Sequence, residues 1–180
     1  MKRLIYTSLV LCLVFISTAM QAQEMVNPVI KNYGGIRNAP HAVEKPDPDM
    51  QYKVVIDVAT GEDDKSDLSY ALNNVARLIN LHVMGGLPKE NLDVVLAIHG
   101  GATFTVLDND LYQQKFGVDN PNLGLIKELE AAGVRLFICS QSLMGRGIDH
   151  ERIVPEVKVA TAMLTVMTTY QAKGHAYLKF

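Results

Sequence analysis

The chain has 180 residues, of which 48% are hydrophobic and 20% charged, with 17 basic residues against 19 acidic ones. A mildly acidic chain without a basic run lacks the electrostatic footprint of a nucleic-acid binder, so no nucleic acid is expected as a partner. An ordinary solvated surface accounts for such a charge.

Lys2 and Arg3 precede an apolar run from Leu4 to Ile16, and Ser17 to Ala22 supplies small residues. This is the pattern of a secretory signal peptide, with cleavage expected after Ala22 in preference to Ala19 and a periplasmic or secreted destination. No second apolar segment is long enough to span a membrane, so no integral segment is expected after cleavage. Losing Lys2 and Arg3 leaves 15 basic residues against 19 acidic, a net charge of −4. Cys12 lies inside the apolar run, which does not suit a lipidation site. Cys139 is then the one cysteine of the mature chain, and an internal disulfide is impossible. In an oxidising compartment a lone thiol is buried, reactive or paired between molecules.

Residues 23–51 read as an extended arm. Pro28, Pro40, Pro46, Pro48 and the Gly34-Gly35 pair interrupt it, while Val29, Ile30, Tyr33 and Ile36 are available to dock on the body or on a neighbouring subunit. The domain proper spans residues 52–180, a usual single-domain size.

Tyr52 to Val58 is a near-continuous apolar run, which suits a parallel strand covered on both faces. After the polar turn Thr60 to Asp64, Ser66 is placed to cap a helix, with Asp67 in its first turn. Leu68, Leu72, Val75 and Ile79 recur at helical spacing up to the break at Gly85, Gly86 and Pro88. Leu92 to His99 is a second buried strand, followed by Gly100 and Gly101. Phe104 to Lys115 reads as helical. Asn120-Pro121 opens another helix, with Leu123, Ile126, Leu129 and Ala132 on its apolar face and Gly133 at its end. Val134 to Cys139 is a third strand, Val157 to Val159 a brief fourth, and Ala160 to Ala172 a helix stopped by Gly174. Ala176 to Phe180 reads as a final edge strand. Strands alternating with helices give an α/β layered fold.

The chemistry collects at strand carboxyl ends, where open α/β sheets bind ligands. Cys139 ends the third strand, and the polar stretch Ser140-Gln141-Ser142-Leu143-Met144-Gly145-Arg146-Gly147 follows. Backbone N–H groups and Arg146 both favour a thiolate there. A small buried hydrophobe closing a core strand is the plainer alternative. If the second and third strands are neighbours, His99 faces the same crevice and can polarise the thiol or steer an anion. Its alternative is a strand-end residue bonded to backbone. Gly100 and Gly101 let a ligand approach the backbone or allow a tight turn, and Ser140 and Gln141 add polar groups for ligand binding.

Other signatures are missing. No G-x-G-x-x-G or G-K-[ST] is present, and no cofactor is expected. His41, His82, His99, His150 and His175 lack metal-ligand spacing, and no metal is expected. Ser140 and Ser142 lack the hydrolase elbow.

Four pieces occur in an order that resembles DsrE/DsrF-like proteins: Tyr52 to Asp57, Val94 to Gly100, Gly133 to Cys139, and Gly174 to Lys179. The resemblance covers nearly the whole domain. It implies a flavodoxin-like three-layer sandwich with a central, mainly parallel sheet, assembled as a homo-oligomer, a trimer or a hexamer. It also implies a link to sulfur trafficking, in which a cysteine after a central strand carries persulfide between donor and acceptor proteins. By position Cys139 matches that cysteine, with His99 and Arg146 to stabilise charge. Two other readings stand beside this one: a non-catalytic oligomeric module binding a small ligand in the His99/Cys139 crevice, and an oligomer in which Cys139 is inert core.

Overall fold

The computed structural model describes residues 24–180. The leader expected over residues 1–22 lies outside the described residues. Five strands form one sheet: β1 (Tyr52–Val58), β2 (Leu92–Ile98), β3 (Arg135–Cys139), β4 (Val157–Ala160) and β5 (Ala176–Lys179). Their order is β4-β3-β2-β1-β5, and every pairing is parallel. The sheet expected to be mainly parallel is therefore parallel throughout.

The helices are α1 (Tyr70–Met84), α2 (Asn109–Phe116), α3 (Leu123–Ala131), α4 (Ser140–Met144) and α5 (Met163–Ala172). They divide unequally between the two faces. Val54, Ile56, Val94, Leu96, Leu136 and Ile138 point to a large core shared with Leu72, Val75 and Ile79 of α1 and Leu125, Ile126 and Leu129 of α3. The alternate residues Val55, Val95 and Ala97 point the other way, to a small core closed by Val166, Met167 and Tyr170 of α5. Right-handed crossovers explain the split. Steps from β1 through β4 advance in one direction and put their helices on one side, whereas the return from β4 to β5 passes over the other.

Several helix starts differ from the expected ones, each because a polar side chain bonds elsewhere. Asp64 holds both the N–H and the hydroxyl of Ser66, at 2.9 and 2.7 Å, so Ser66 turns the loop. Ser69 caps α1 instead, accepting from the Leu72 N–H. The helix expected over Phe104 to Lys115 is split: a 3₁₀ turn spans Gly100–Val106, and Asp108 caps α2. Asn122 Oδ1 accepts from the Ser69 N–H, and α3 begins after it rather than at Pro121.

The arm docks on the body through several side chains, Asn73, Arg77 and Glu128 among them, and most extensively through Asn80. Asn80 of α1 is wholly buried, and its Oδ1 accepts from the N–H groups of Val29 and Ile30, both at 3.0 Å. Its Nδ2 donates to the carbonyls of Ile30, Tyr33 and Gly34. Arm backbone that would otherwise be buried unpaired is thereby satisfied. Ile30 joins the large core, and Gly34 (φ 63°) lies so close to Ala76 and Arg77 that a side chain there would strike the α1 backbone.

Candidate functional site

The chain leaves β3 and β4 towards opposite faces. From β3 it enters α4, whose Leu143 joins the large core, and from β4 it enters α5 on the other side. The carboxyl ends of β3 and β4 therefore flank a topological switch point, where α/β folds open a crevice. Cys139 is paired with Ala160 at that point. Alternation along β3 puts its side chain on the α5 face, with Phe137 two residues before it.

Cys139 is 5% exposed, whereas the polar loop expected after it implies a reachable thiol. The difference arises because the chain coils into α4 directly after Cys139 and the start of α5 closes on it. Burial pushes the thiol up. Against this act the N–H groups of Met163, Ser142 and Gln141 and the hydroxyl of Ser142, and the balance leaves it below the ordinary cysteine value. Met163 is the first residue of α5, where helix N–H groups lack intrahelical partners. Thr165 Oγ1 accepts from the neighbouring Ala162 N–H at 3.3 Å. That bond leaves the Met163 N–H to the sulfur.

Ser140 and Gln141 hold this arrangement together. The Ser140 hydroxyl donates to the Thr161 carbonyl at 2.6 Å, and Gln141 Nε2 reaches the same oxygen at 3.5 Å. They tie the segment that presents Met163 to the start of α4. Gly100 donates its N–H to Ser142 Oγ at 3.4 Å, one bond removed from the sulfur. Gly100 and Gly101 otherwise meet protein: an added Cβ would lie 2.7 Å from the Ala59 carbonyl oxygen at Gly100 and 2.9 Å from the Gly61 nitrogen at Gly101. Their smallness serves the packing of two loops.

The expected cations sit elsewhere. Arg146 is exposed, donates to the Ser142 carbonyl at 3.2 Å and lies over the Phe104 ring. It is not among the groups that lower the thiol. His99 is on the α5 face too, but its Nε2 is bonded to Asp57 Oδ1 at 2.6 Å. Asp57 is 6% exposed, accepts from the Tyr177 hydroxyl at 3.2 Å and has Lys179 Nζ at 3.9 Å. Burial and the Asp57 charge push the Tyr177 hydroxyl up, so it remains a donor.

Sequence reasoning passed over Asp57, Ser142, Met163 and Tyr177 as site groups. Asp57 had a signal, being a carboxylate inside an apolar strand. Met163 had none, because it acts through its backbone. Among the described residues no cluster of His, Cys, Asp and Glu is arranged to hold a metal ion.

The DsrE/DsrF-like family model matches residues 53–180. No curated protein matches the chain. Among solved structures, a protein of unknown function from Methanobacterium thermoautotrophicum is similar, with a TM-score of 0.55 and 21% identity over 72% of this chain and 99% of that one. The ychN protein from E. coli is similar with a TM-score of 0.53 and 25% identity, again over 72% and 99% of the two chains. They share the fold described above.

Proposed function

Because the chain belongs to the DsrE/DsrF-like family, we propose that it accepts sulfane sulfur as a persulfide on Cys139 and passes it on. The observation that carries the proposal is the set of backbone N–H groups from α4 and the start of α5 that converge on the Cys139 sulfur and hold it below the ordinary thiol value despite burial. A thiolate so held is a nucleophile.

The Cys139 thiolate attacks the outer sulfur of a donor persulfide R–S–SH. The donor S–S bond breaks, a new S–S bond forms to Cys139, and the donor leaves as R–S⁻. An acceptor thiolate then attacks the outer sulfur of the Cys139 persulfide, and the Cys139 thiolate leaves. One sulfur atom moves between thiols, and no net oxidation occurs.

The proposal extends to setting. The leader pattern of residues 1–22 supports export to the periplasm or beyond. Family membership supports a homo-oligomer, a trimer or a hexamer, with donor and acceptor proteins as partners. Among the described residues no helix is long and apolar enough to cross a membrane.

One observation favours a second reading. At 5% exposure, Cys139 also fits an oligomeric small-ligand module with an inert thiol. Mass spectrometry after incubation with an alkyl persulfide decides between them. Under denaturing conditions the wild type is expected to gain the mass of one sulfur atom, and Cys139→Ser none. Under native conditions the same sample should show three or six chains. An unmodified wild type overturns the carrier reading, and a monomer overturns the assembly.

A further inference from the structure

The groups that lower the Cys139 thiol do not include His99, which leaves the tight His99–Asp57 pair without a part in it. Three adjacent strands place these groups along one edge. Asp57 lies in β1, His99 directly follows β2, and Cys139 ends β3. Ile98 pairs with Ile138, so His99 and Cys139 are the next residues in that register, on strands about 4.8 Å apart. The His99 N–H donates to the Val58 carbonyl at 2.9 Å, which anchors the backbone there.

Asp57 fixes the tautomer. Its carboxylate accepts from His99, so Nε2 carries a proton. Tyr177 and Lys179 of β5 hold the carboxylate from the far side. Among the described residues no hydrogen bond occupies Nδ1, and the His99 side chain is 23% exposed. Asp57 is the titratable group bonded to His99, Tyr177 and Lys179 reach it through Asp57, and Cys139 lies one strand over at the matching register position. A buried carboxylate orienting an imidazole, beside a nucleophile on the next strand, is the arrangement of general acid–base catalysis.

We propose that His99, oriented by Asp57, is the proton shuttle of sulfur transfer at Cys139. This rests on the carrier reading. In the first half, imidazolium Nδ1–H protonates the departing donor sulfur: Cys139–S⁻, R–S–SH and His99-H⁺ give Cys139–S–SH, R–SH and neutral His99. In the second half, neutral Nδ1 takes the proton of the acceptor thiol R′–SH. The resulting R′–S⁻ attacks the outer sulfur, giving R′–S–SH and Cys139–S⁻, with His99 protonated again. The sum converts R–S–SH and R′–SH into R–SH and R′–S–SH, and every proton is accounted for. His99 is the catalytic residue, and Asp57 is a positioning residue that acts through it. The substrates are alkyl persulfides and alkyl thiols, whose basic leaving groups gain from an acid, as opposed to acidic aryl ones.

The test compares wild type, Asp57→Asn and His99→Gln in single-turnover sulfur uptake from an alkyl persulfide and from an aryl persulfide, alongside iodoacetamide alkylation. Iodide leaves without a proton, so alkylation reads the thiolate alone. Both variants are expected to lose about 10²-fold with the alkyl donor. With the aryl donor the loss should be only several-fold once each rate is normalised to the thiolate fraction that alkylation reads, so the ratio of alkyl to aryl rates falls in both variants. His99→Gln alters a partly exposed side chain and covers the case in which Asp57→Asn fails to fold. Wild-type rates with the alkyl donor in a folded variant overturn the shuttle while leaving the carrier in place. A wild type that takes no sulfur from either donor overturns the carrier, and the shuttle with it.

Discussion

The groups that lower the Cys139 thiol are backbone N–H donors and one hydroxyl, with no charged side chain among them. Arg146 and His99 are the residue types that sequence reasoning selects to stabilise a thiolate. In the folded chain Arg146 packs over Phe104 and His99 bonds to Asp57. The groups that lower the thiol are N–H donors of Gln141, Ser142 and Met163, together with the Ser142 hydroxyl. The two accounts separate by mutation. Ser142→Ala removes the hydroxyl donor while keeping the N–H, so the pH midpoint of Cys139 alkylation should move upward. Arg146→Ala should leave it in place. An upward shift in Arg146→Ala and none in Ser142→Ala would return the control to the surface cation.

At the scale of elements, the best-read parts are those whose burial is written as composition. The runs Val54-Val55-Ile56, Val94-Val95-Leu96 and Leu136-Phe137-Ile138 are apolar on successive residues because both sheet faces are covered. Element starts were less legible. Asp64 and Asp108 each take one of several local donors, two and three residues on, and Asn122 takes the Ser69 N–H, which only the fold brings near. The arm is the extreme case. An asparagine in the middle of α1 carries no sign that it will clamp residues some fifty positions earlier. Asn80→Asp is nearly isosteric and still accepts from Val29 and Ile30, but it turns a donor into a charged oxygen facing three carbonyls. A buried charge set against acceptors costs several kcal/mol, so about 3 kcal/mol or more of stability should be lost. Limited proteolysis should then cut within residues 24–50 before the body. A variant as stable and as resistant as wild type would mean that the arm is held elsewhere.

For the whole molecule, strand order does what no single element can. The return crossover from β4 to β5 sends α5 to its own face and aims its first N–H at the end of β3. Alternating strands and helices are visible in the sequence, and so is a cysteine at a strand end. The side on which the last helix lies is a property of the strand order, which periodicity does not encode. The same crossover buries the thiol that its first N–H lowers, so acidity and access are opposed in this fold. Iodoacetamide alkylation of the native wild-type protein across about pH 5 to 9 measures both at once, because only the thiolate reacts appreciably. A thiol held below its ordinary value is ionised at lower pH, so the reactive midpoint should fall below the ~8.5 of a free cysteine. A thiol that stays unmodified until the protein is denatured, or that reacts with a midpoint above that of free cysteine, would contradict a sulfur-carrying Cys139.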